Sequence, residues 1–304
     1  MEKEKFYTAV FPPVLPFWQA VNNLIYAIKE AVYCGRTLLI PWLELDKEEN
    51  FNTSPQVSAV EYFDLSRTIV TRGGQTVSWS WVEHGEWSDI NHWTVANIKP
   101  DQALDIGCSK RLIVRYPPSH YRFFPQAHQH SFKTDFQASW WRHDDYKDIR
   151  VQLEPAPLWR DMAAQTIESL NGNGQYLVFV QKSALDNGKG IPLTPLRKLF
   201  QPLNTALKKI STAYRCRQAL RPIQKTVSAG TPFYIIYDRS HPSARRLHYL
   251  INRSLSRHYQ VFSYQDFPDL LNLVTTKNLL FVDNFALMLI EQLIEQSARK
   301  KISF

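Results

Sequence analysis

Short apolar runs alternate with stretches of helical periodicity along much of this chain. Phe6-Tyr7-Thr8-Ala9-Val10 is a β-rich run, and Pro12, Pro13 and Pro16 break it into a proline-rich loop over 12–20. Val21, Leu24, Ile25, Ile28, Ala31 and Val32 then recur at three- and four-residue spacing, which puts one apolar stripe on a helix. Gly35 suits the C-terminus of that helix. Thr37 to Ile40 is a second apolar run, closed by Pro41. Strand, helix and strand in this order predict a βαβ unit, and so a parallel sheet.

Residues 50 to 150 lack this regularity. Trp79, Trp81, Trp87 and Trp93 sit among polar residues, with Gly73-Gly74 and Gly85 as punctuation. The pattern predicts irregular structure with short strands such as Arg111 to Tyr116. His120, His128 and His130 lack the helical spacing of a metal site and read as a solvated loop.

The second half is regular again. Leu158, Met162, Ala163, Ile167 and Leu170 predict an amphipathic helix over Pro157 to Leu170, ended by Asn171-Gly172-Asn173-Gly174. Tyr176 to Val180 is a continuous apolar run, the mark of a strand buried on both faces. A helix is predicted from Pro195 to Lys209, a buried strand at Pro232 to Tyr237, a basic helix at His241 to Ser256 and a strand at Tyr259 to Phe262. Leu287, Ile290, Leu293, Ile294 and Ala298 line one face of a last helix, Asn284 to Lys300. The alternation is that of a doubly wound α/β protein. Its 304 residues accommodate two domains, set here at 1–160, with an irregular aromatic-rich insertion, and 161–304.

Composition narrows the function less than the fold. Apolar residues at 44% and charged residues at 21% describe a chain that builds a core. No window of eighteen apolar residues exists, so no membrane contact is expected. Three scattered cysteines, Cys34, Cys108 and Cys216, make no disulfide scaffold and no zinc spacing. No secretory signal is evident after Met1-Glu2-Lys3-Glu4-Lys5, which points to the cytoplasm, or to the secretory pathway if the N-terminus is incomplete. The net charge of +8 favours anionic partners. Between Lys182 and Lys225 there are ten Lys and Arg and one acid, Asp186, so this stretch is +9. A solvated helix face is the better reading of it than a nucleic-acid track, because no RNA- or DNA-binding motif accompanies it.

In doubly wound sheets ligands bind beyond the carboxyl ends of strands. Three such ends carry polar chemistry: the loop 12–20, Gln181 to Asp186, and Asp238-Arg239-Ser240. A lysine neutralises phosphate, and a carboxylate accepts from a base or ribose donor, so Lys182 and Asp238 suit a nucleotide-sugar. Read as ordinary loop residues, they carry no function.

These segments together resemble the protein O-fucosyltransferases. Asn22-Asn23-Leu24 leading to Gly35-Arg36-Thr37-Leu38-Leu39-Ile40-Pro41-Trp42-Leu43-Glu44 is similar to the family's opening helix and its Asn-Arg-Thr-Leu-x-x-Pro strand. Asn50-Phe51-Asn52-Thr53 and Val60-Glu61-Tyr62-Phe63-Asp64-Leu65 resemble the phenylalanine-rich segment that follows. Tyr176 to Asp186 falls where the family has strand-His-x-Arg-x-Gly-x-Asp, and Phe233 to Asp238 where it has Val-Tyr-x-Ala-Thr-Asp. Ile290 to Lys300 is similar to its last helix. The resemblance implies a GT-B architecture, two Rossmann-like domains with parallel sheets facing a cleft. It implies GDP-fucose as donor substrate, no cofactor and no metal, and inverting transfer to Ser or Thr of a protein acceptor.

The same alignment shows where this chain departs from the family. The family's Arg-Phe-Gly-Asn is here Pro16-Phe17-Trp18-Gln19, and an indole replaces a glycine that lets backbone approach phosphate. The family's arginine is Lys182, which keeps the charge and loses the bidentate fork. Its Thr-Asp-Ser is Tyr237-Asp238-Arg239. The resemblance thus makes Lys182 the catalytic candidate, holding the diphosphate and stabilising the leaving GDP. Phe17, Trp18, Gln19, Asp186, Asp238 and Arg239 become the donor-binding candidates. The expected function is a fucosyltransferase-like glycosyltransferase. The alternative is a catalytically degenerate member that acts as a protein-binding module, and nucleic-acid binding through 182–225 ranks last.

Overall fold

In the computed structural model Phe6–Ala9 forms β1, with all four residues buried. The structure describes residues 4–10, 17–44, 56–83, 93–99, 102–115, 146–170, 176–181, 221, 225, 227–237, 242–275 and 284–303. Two compact units result: Met1–Trp159 with Leu273–Met288, and Arg160–Asn272 with Leu289–Phe304.

Helix α1 runs from Phe17 to Cys34, so the loop expected over 12–20 is shorter than its prolines suggest. From Phe17 onward no proline or glycine interrupts the helix until Gly35. Pro16 precedes the first turn, where a missing N–H costs nothing. Leu24, Ala27, Ile28 and Ala31 are its buried stripe. The helix ends in a Schellman turn. Gly35 adopts φ +63°, its N–H donates to Val32 O, and the Arg36 N–H donates to Ala31 O.

β1 then pairs in parallel with β2, Thr37–Leu39, and with β9, Leu112–Arg115. With β7, Trp81–Val82, and β8, Val95–Ile98, the sheet has the order β7-β2-β1-β9-β8 and every pairing is parallel. Strand β9 is the short strand expected near Arg111 to Tyr116. The rest of the middle region is more ordered than its polar sequence suggests. β3, Trp42–Glu44, pairs antiparallel with β4, Gln56–Ser58. β5, Ile69–Arg72, lies between β6, Gln75–Thr76, and β10, Ile149–Gln152, in an antiparallel sheet. Gly73 at φ +56° and Gly74 at φ +84° make the two-residue turn from β5 to β6. Positive φ at both positions gives the hairpin the twist its strands need.

Helix α2 covers Pro157–Leu170, as its periodicity predicts. One of its predicted apolar contacts is wrong: Leu158 is 58% exposed, and Trp159 is buried in its place. The Trp159 indole stacks on Tyr62 at 5.9 Å and its Nε1–H donates to Glu61 O at 2.9 Å. An indole that buries its ring and satisfies its N–H displaces a smaller aliphatic neighbour from the stripe.

In the second unit β11, Leu177–Gln181, pairs in parallel with β12, Pro232–Tyr237. Helix α3, Pro242–Leu255, leads from β12 to β13, Gln260–Phe262. Helices α4, Pro268–Thr275, and α5, Asn284–Ser297, follow, and the chain changes unit within each of them, at Leu273 and at Leu289. The sheet order is β13-β12-β11-β14, again all parallel. β14, Lys300–Ser303, corrects the helix expected to run to Lys300. Its two lysines conceal the strand, because an edge position leaves side chains free to reach solvent; Lys301 pairs with Glu295.

The fold is therefore α/β, with a parallel sheet in each unit. The helix expected over 195–209 lies outside the described residues, as do His120, His128 and His130 and most of the basic stretch 182–225. Among the described residues no helix is long and apolar enough to cross a membrane.

Candidate functional site

Each parallel sheet has one place where the strand order reverses. In the first unit the chain moves outward from β1 to β2 and β7, and β9 and β8 lie on the other side of β1. In the second it moves from β11 to β12 and β13, and β14 returns to the other side of β11. Loops leaving neighbouring strands on opposite faces open a crevice at such a reversal, beyond the carboxyl ends of the strands.

The first reversal, between β1 and β9, is closed by a buried polar network. Ala9 and Arg115 are register partners there, and the Val10 N–H donates to Arg115 O at 2.8 Å. Glu30, on α1, is 4% exposed, and Arg115 is 1% exposed. Arg115 Nε donates to Glu30 Oε2 at 2.7 Å, and Nη1 donates to Lys99 O at 2.9 Å and Gln102 O at 3.1 Å. The Tyr7 hydroxyl donates to the same Glu30 oxygen. Burial first, and then the Glu30 charge, push the hydroxyls of Tyr7 and Tyr146 well above the usual tyrosine range. The same two causes push the Cys34 thiol up to about 12, so it is no nucleophile at neutral pH. Arg115 is committed to Glu30 and to two carbonyls. This arrangement ties α1, β1, β8 and β9 together.

At the opposite end of that sheet Arg36, also buried, donates to four carbonyls: Phe6 at 3.3 Å, Lys110 at 2.9 Å, Arg111 at 3.4 Å and Cys108 at 2.6 Å. This accounts physically for the Arg-Thr-Leu pattern. The arginine donates to the amino ends of two strands and to the turn between β8 and β9, adding to the Phe6 N–H that Arg111 O already accepts. The Arg111 guanidinium covers Trp93 at 4.0 Å, and Trp93 stacks on Phe6 at 4.5 Å.

The carboxyl edge of the second sheet, where the reversal lies between β11 and β14, shows a different construction at β12. Gln181, the last residue of β11, is the register partner of Tyr237, the last residue of β12. The two strands thus leave the sheet side by side. Lys182 and Asp238 are the next residues in the chain; they lie outside the described residues, with Asp186 and Arg239. Phe17, Trp18 and Gln19 occupy the first turn of α1, and the structure describes their backbone alone.

What the structure does describe at this edge is an aromatic and polar cluster that the sequence reading passed over. Tyr237 is buried, and its ring stacks on the His248 imidazole at 4.1 Å and 13°. The Tyr237 hydroxyl donates to the Tyr264 hydroxyl at 3.4 Å, and Gln265 Nε2 donates to both phenol oxygens at 3.3 Å. Tyr264–Asp266 form a single 3-10 turn after β13. Ser263 N–H donates to Asp266 Oδ2 at 2.7 Å, and Gln265 N–H donates to Ser263 Oγ at 3.3 Å, a capping box that fixes the turn. Burial holds the His248 imidazole below the ordinary histidine range, against the pull of the Asp266 charge. A sequence signal for His248 exists: with buried Ile251 and Leu255 it falls at the i, i+3, i+7 positions of α3. Its basic neighbours masked that stripe. Among the described residues no group of three or more His, Cys, Asp or Glu is placed to hold a metal ion.

Two parallel α/β units, each with an order reversal, define the class of protein. No family model matches the chain, and no curated protein matches it. Among solved structures it is similar to a crystal structure of POFUT1 in complex with GDP, at 10% identity and a TM-score of 0.47, over 99% of this chain and 98% of that one. It is also similar to a crystal structure of POFUT1 in complex with GDP-fucose, at 11% identity and a TM-score of 0.42, over 100% and 98% of the two chains.

Proposed function

We propose that this chain is an O-fucosyltransferase-like glycosyltransferase whose donor nucleotide-sugar binds at the carboxyl edge of the second unit's sheet. The observation that carries the reading is the side-by-side exit of β11 and β12 at Gln181 and Tyr237, next to the order reversal at β14. A ligand beyond that edge meets the residues that follow each strand. Lys182, after β11, neutralises the diphosphate and stabilises the leaving GDP as the sugar–phosphate bond breaks. Asp238, after β12, accepts from the guanine or ribose, while Asp186 and Arg239 lie further along the same two segments. The choice of GDP-fucose, and of a Ser or Thr hydroxyl on a protein as acceptor, rests on the sequence resemblance. No metal is needed where a lysine supplies the positive charge.

A second reading is favoured by one observation, Trp18 in the place of the family's glycine. An indole there closes a phosphate site, and the chain becomes a binding module without turnover. Two substitutions separate the readings. A hydrogen bond to a charged group contributes about 1.5–3 kcal/mol, so Lys182→Ala is expected to lower GDP affinity roughly ten-fold to a hundred-fold. Lys182→Arg restores the planar fork and is expected to raise it. Equal, negligible GDP binding by wild type and both variants ends the transferase reading and leaves the binding module.

A further inference from the structure

Three elements of the second unit converge on one side chain. Tyr237 ends β12, His248 comes from the middle of α3, and Tyr264 and Gln265 come from the turn after β13. The phenol oxygen is held by Tyr264 and Gln265, and the ring face by His248. The ring geometry, near-parallel rings with centroids 4.1 Å apart, gives His248 a packing role that any flat ring could fill. Its nitrogens are less well served. Nε2 is shut off from solvent and has no hydrogen-bond partner among the described residues. A buried unpaired nitrogen opposes folding, and a phenylalanine would stack without it. Packing alone therefore does not account for an imidazole here.

We propose that His248 is a positioning residue for the ligand edge of the second sheet: as a neutral ring it holds Tyr237, and with it the carboxyl end of β12, and it releases that end on protonation. The inference rests on the reading that a nucleotide-sugar binds at this edge. Among the described residues, the charged and titratable groups around the imidazole are Tyr237 on β12 and Tyr264 and Asp266 on the turn after β13. On its own helix Tyr249 and Arg253 are exposed. Protonation makes both ring nitrogens donors, so the enclosed Nε2 becomes a charged donor with no acceptor among the described residues. Among the described residues Asp266 is the carboxylate whose charge the imidazole senses, and it already accepts from the Ser263 N–H. Moving the ring toward that carboxylate takes it off Tyr237.

The test compares GDP binding by wild type, His248→Phe and His248→Ala at neutral and acid pH. At neutral pH the phenylalanine variant is expected to bind as wild type does, because it keeps the stack. The alanine variant is expected to bind about ten-fold more weakly, the scale of one aromatic pair. On acidification through the ordinary histidine range and below, wild type is expected to lose affinity that His248→Phe retains. Unchanged affinity in His248→Ala, or an acid loss shared by His248→Phe, overturns the inference. If wild type binds no GDP at any pH, the nucleotide reading fails, and aromatic NMR of the free protein decides the inference separately. Tyr237 ring resonances that move with the His248 titration support it, and resonances indifferent to that titration overturn it.

Discussion

The carboxyl ends of the two parallel sheets are held by opposite means. Beside β1 and β9 the chain buries a carboxylate and a guanidinium, Glu30 and Arg115, with Tyr7 on the same oxygen. Beside β12, near the second reversal, it uses neutral rings, the Tyr237–His248 stack and the hydroxyls of Tyr237 and Tyr264. A buried ion pair requires both members, since either one alone is an uncompensated charge in a poorly solvated place. A stack of neutral rings tolerates substitution by shape and responds to protonation. The first edge is therefore a structural lock whose arginine is consumed by protein partners. The second is a scaffold whose described contacts are between neutral rings and hydroxyls.

The largest expected effect breaks the lock. Glu30→Gln or Arg115→Met leaves a buried charge without its partner and is expected to cost about 3–5 kcal/mol in urea unfolding. Replacing both residues, Glu30→Leu with Arg115→Met, is expected to recover much of that loss, because the charges leave together. A double variant as unstable as the singles would show that the carbonyl bonds of Arg115, rather than the pair, hold the edge.

Next in size is Arg36→Ala, which takes a charged donor from four strand-end and turn carbonyls, of which Arg111 O keeps the Phe6 N–H. The expected cost is about 2–3 kcal/mol, the scale of charged hydrogen bonds, with GDP binding unchanged in the folded fraction. A change in GDP affinity there would blur the contrast between a structural first sheet and a ligand-bearing second one.

The smallest expected effect is on pH dependence. Burial lowers the His248 pKa in the folded protein below that of the unfolded chain. As pH falls, the unfolded chain takes up the proton first. The contribution of neutral His248 is thus complete above about pH 6.5, the unperturbed value, and is lost as pH falls through the lowered folded value. Urea unfolding of wild type and His248→Phe across this range is expected to show a steeper acid decline for wild type. Parallel curves would remove His248 from the acid response.

What was legible in the sequence follows from what each element buries. Strands buried on both faces, such as Leu177–Gln181 and Pro232–Tyr237, are continuous apolar runs and were read with their neighbours. Helix α2 was legible in its limits, while its buried stripe was misread at Leu158, since periodicity does not weigh an indole against an isobutyl group. Strand β14 was hidden because an edge strand with two lysines has no apolar run. The antiparallel pairing of β5 with β10 joins residues far apart in the chain, and nothing local announces it. At the candidate site, sequence reasoning reached the strand ends through the general rule for parallel sheets. It missed His248, Tyr264 and Gln265, because a functional contact between a helix and a turn is a matter of tertiary register.

The central claim is that the carboxyl edge of the second sheet binds a guanine nucleotide-sugar. Isothermal calorimetry of the wild-type protein with GDP-fucose, GDP and UDP side by side tests it most directly. The account predicts saturable binding of GDP-fucose and GDP, weaker binding of UDP, and GDP binding weakened roughly ten-fold to a hundred-fold by Lys182→Ala. No heat of binding with any of the three nucleotides, from protein shown to be folded, would contradict it.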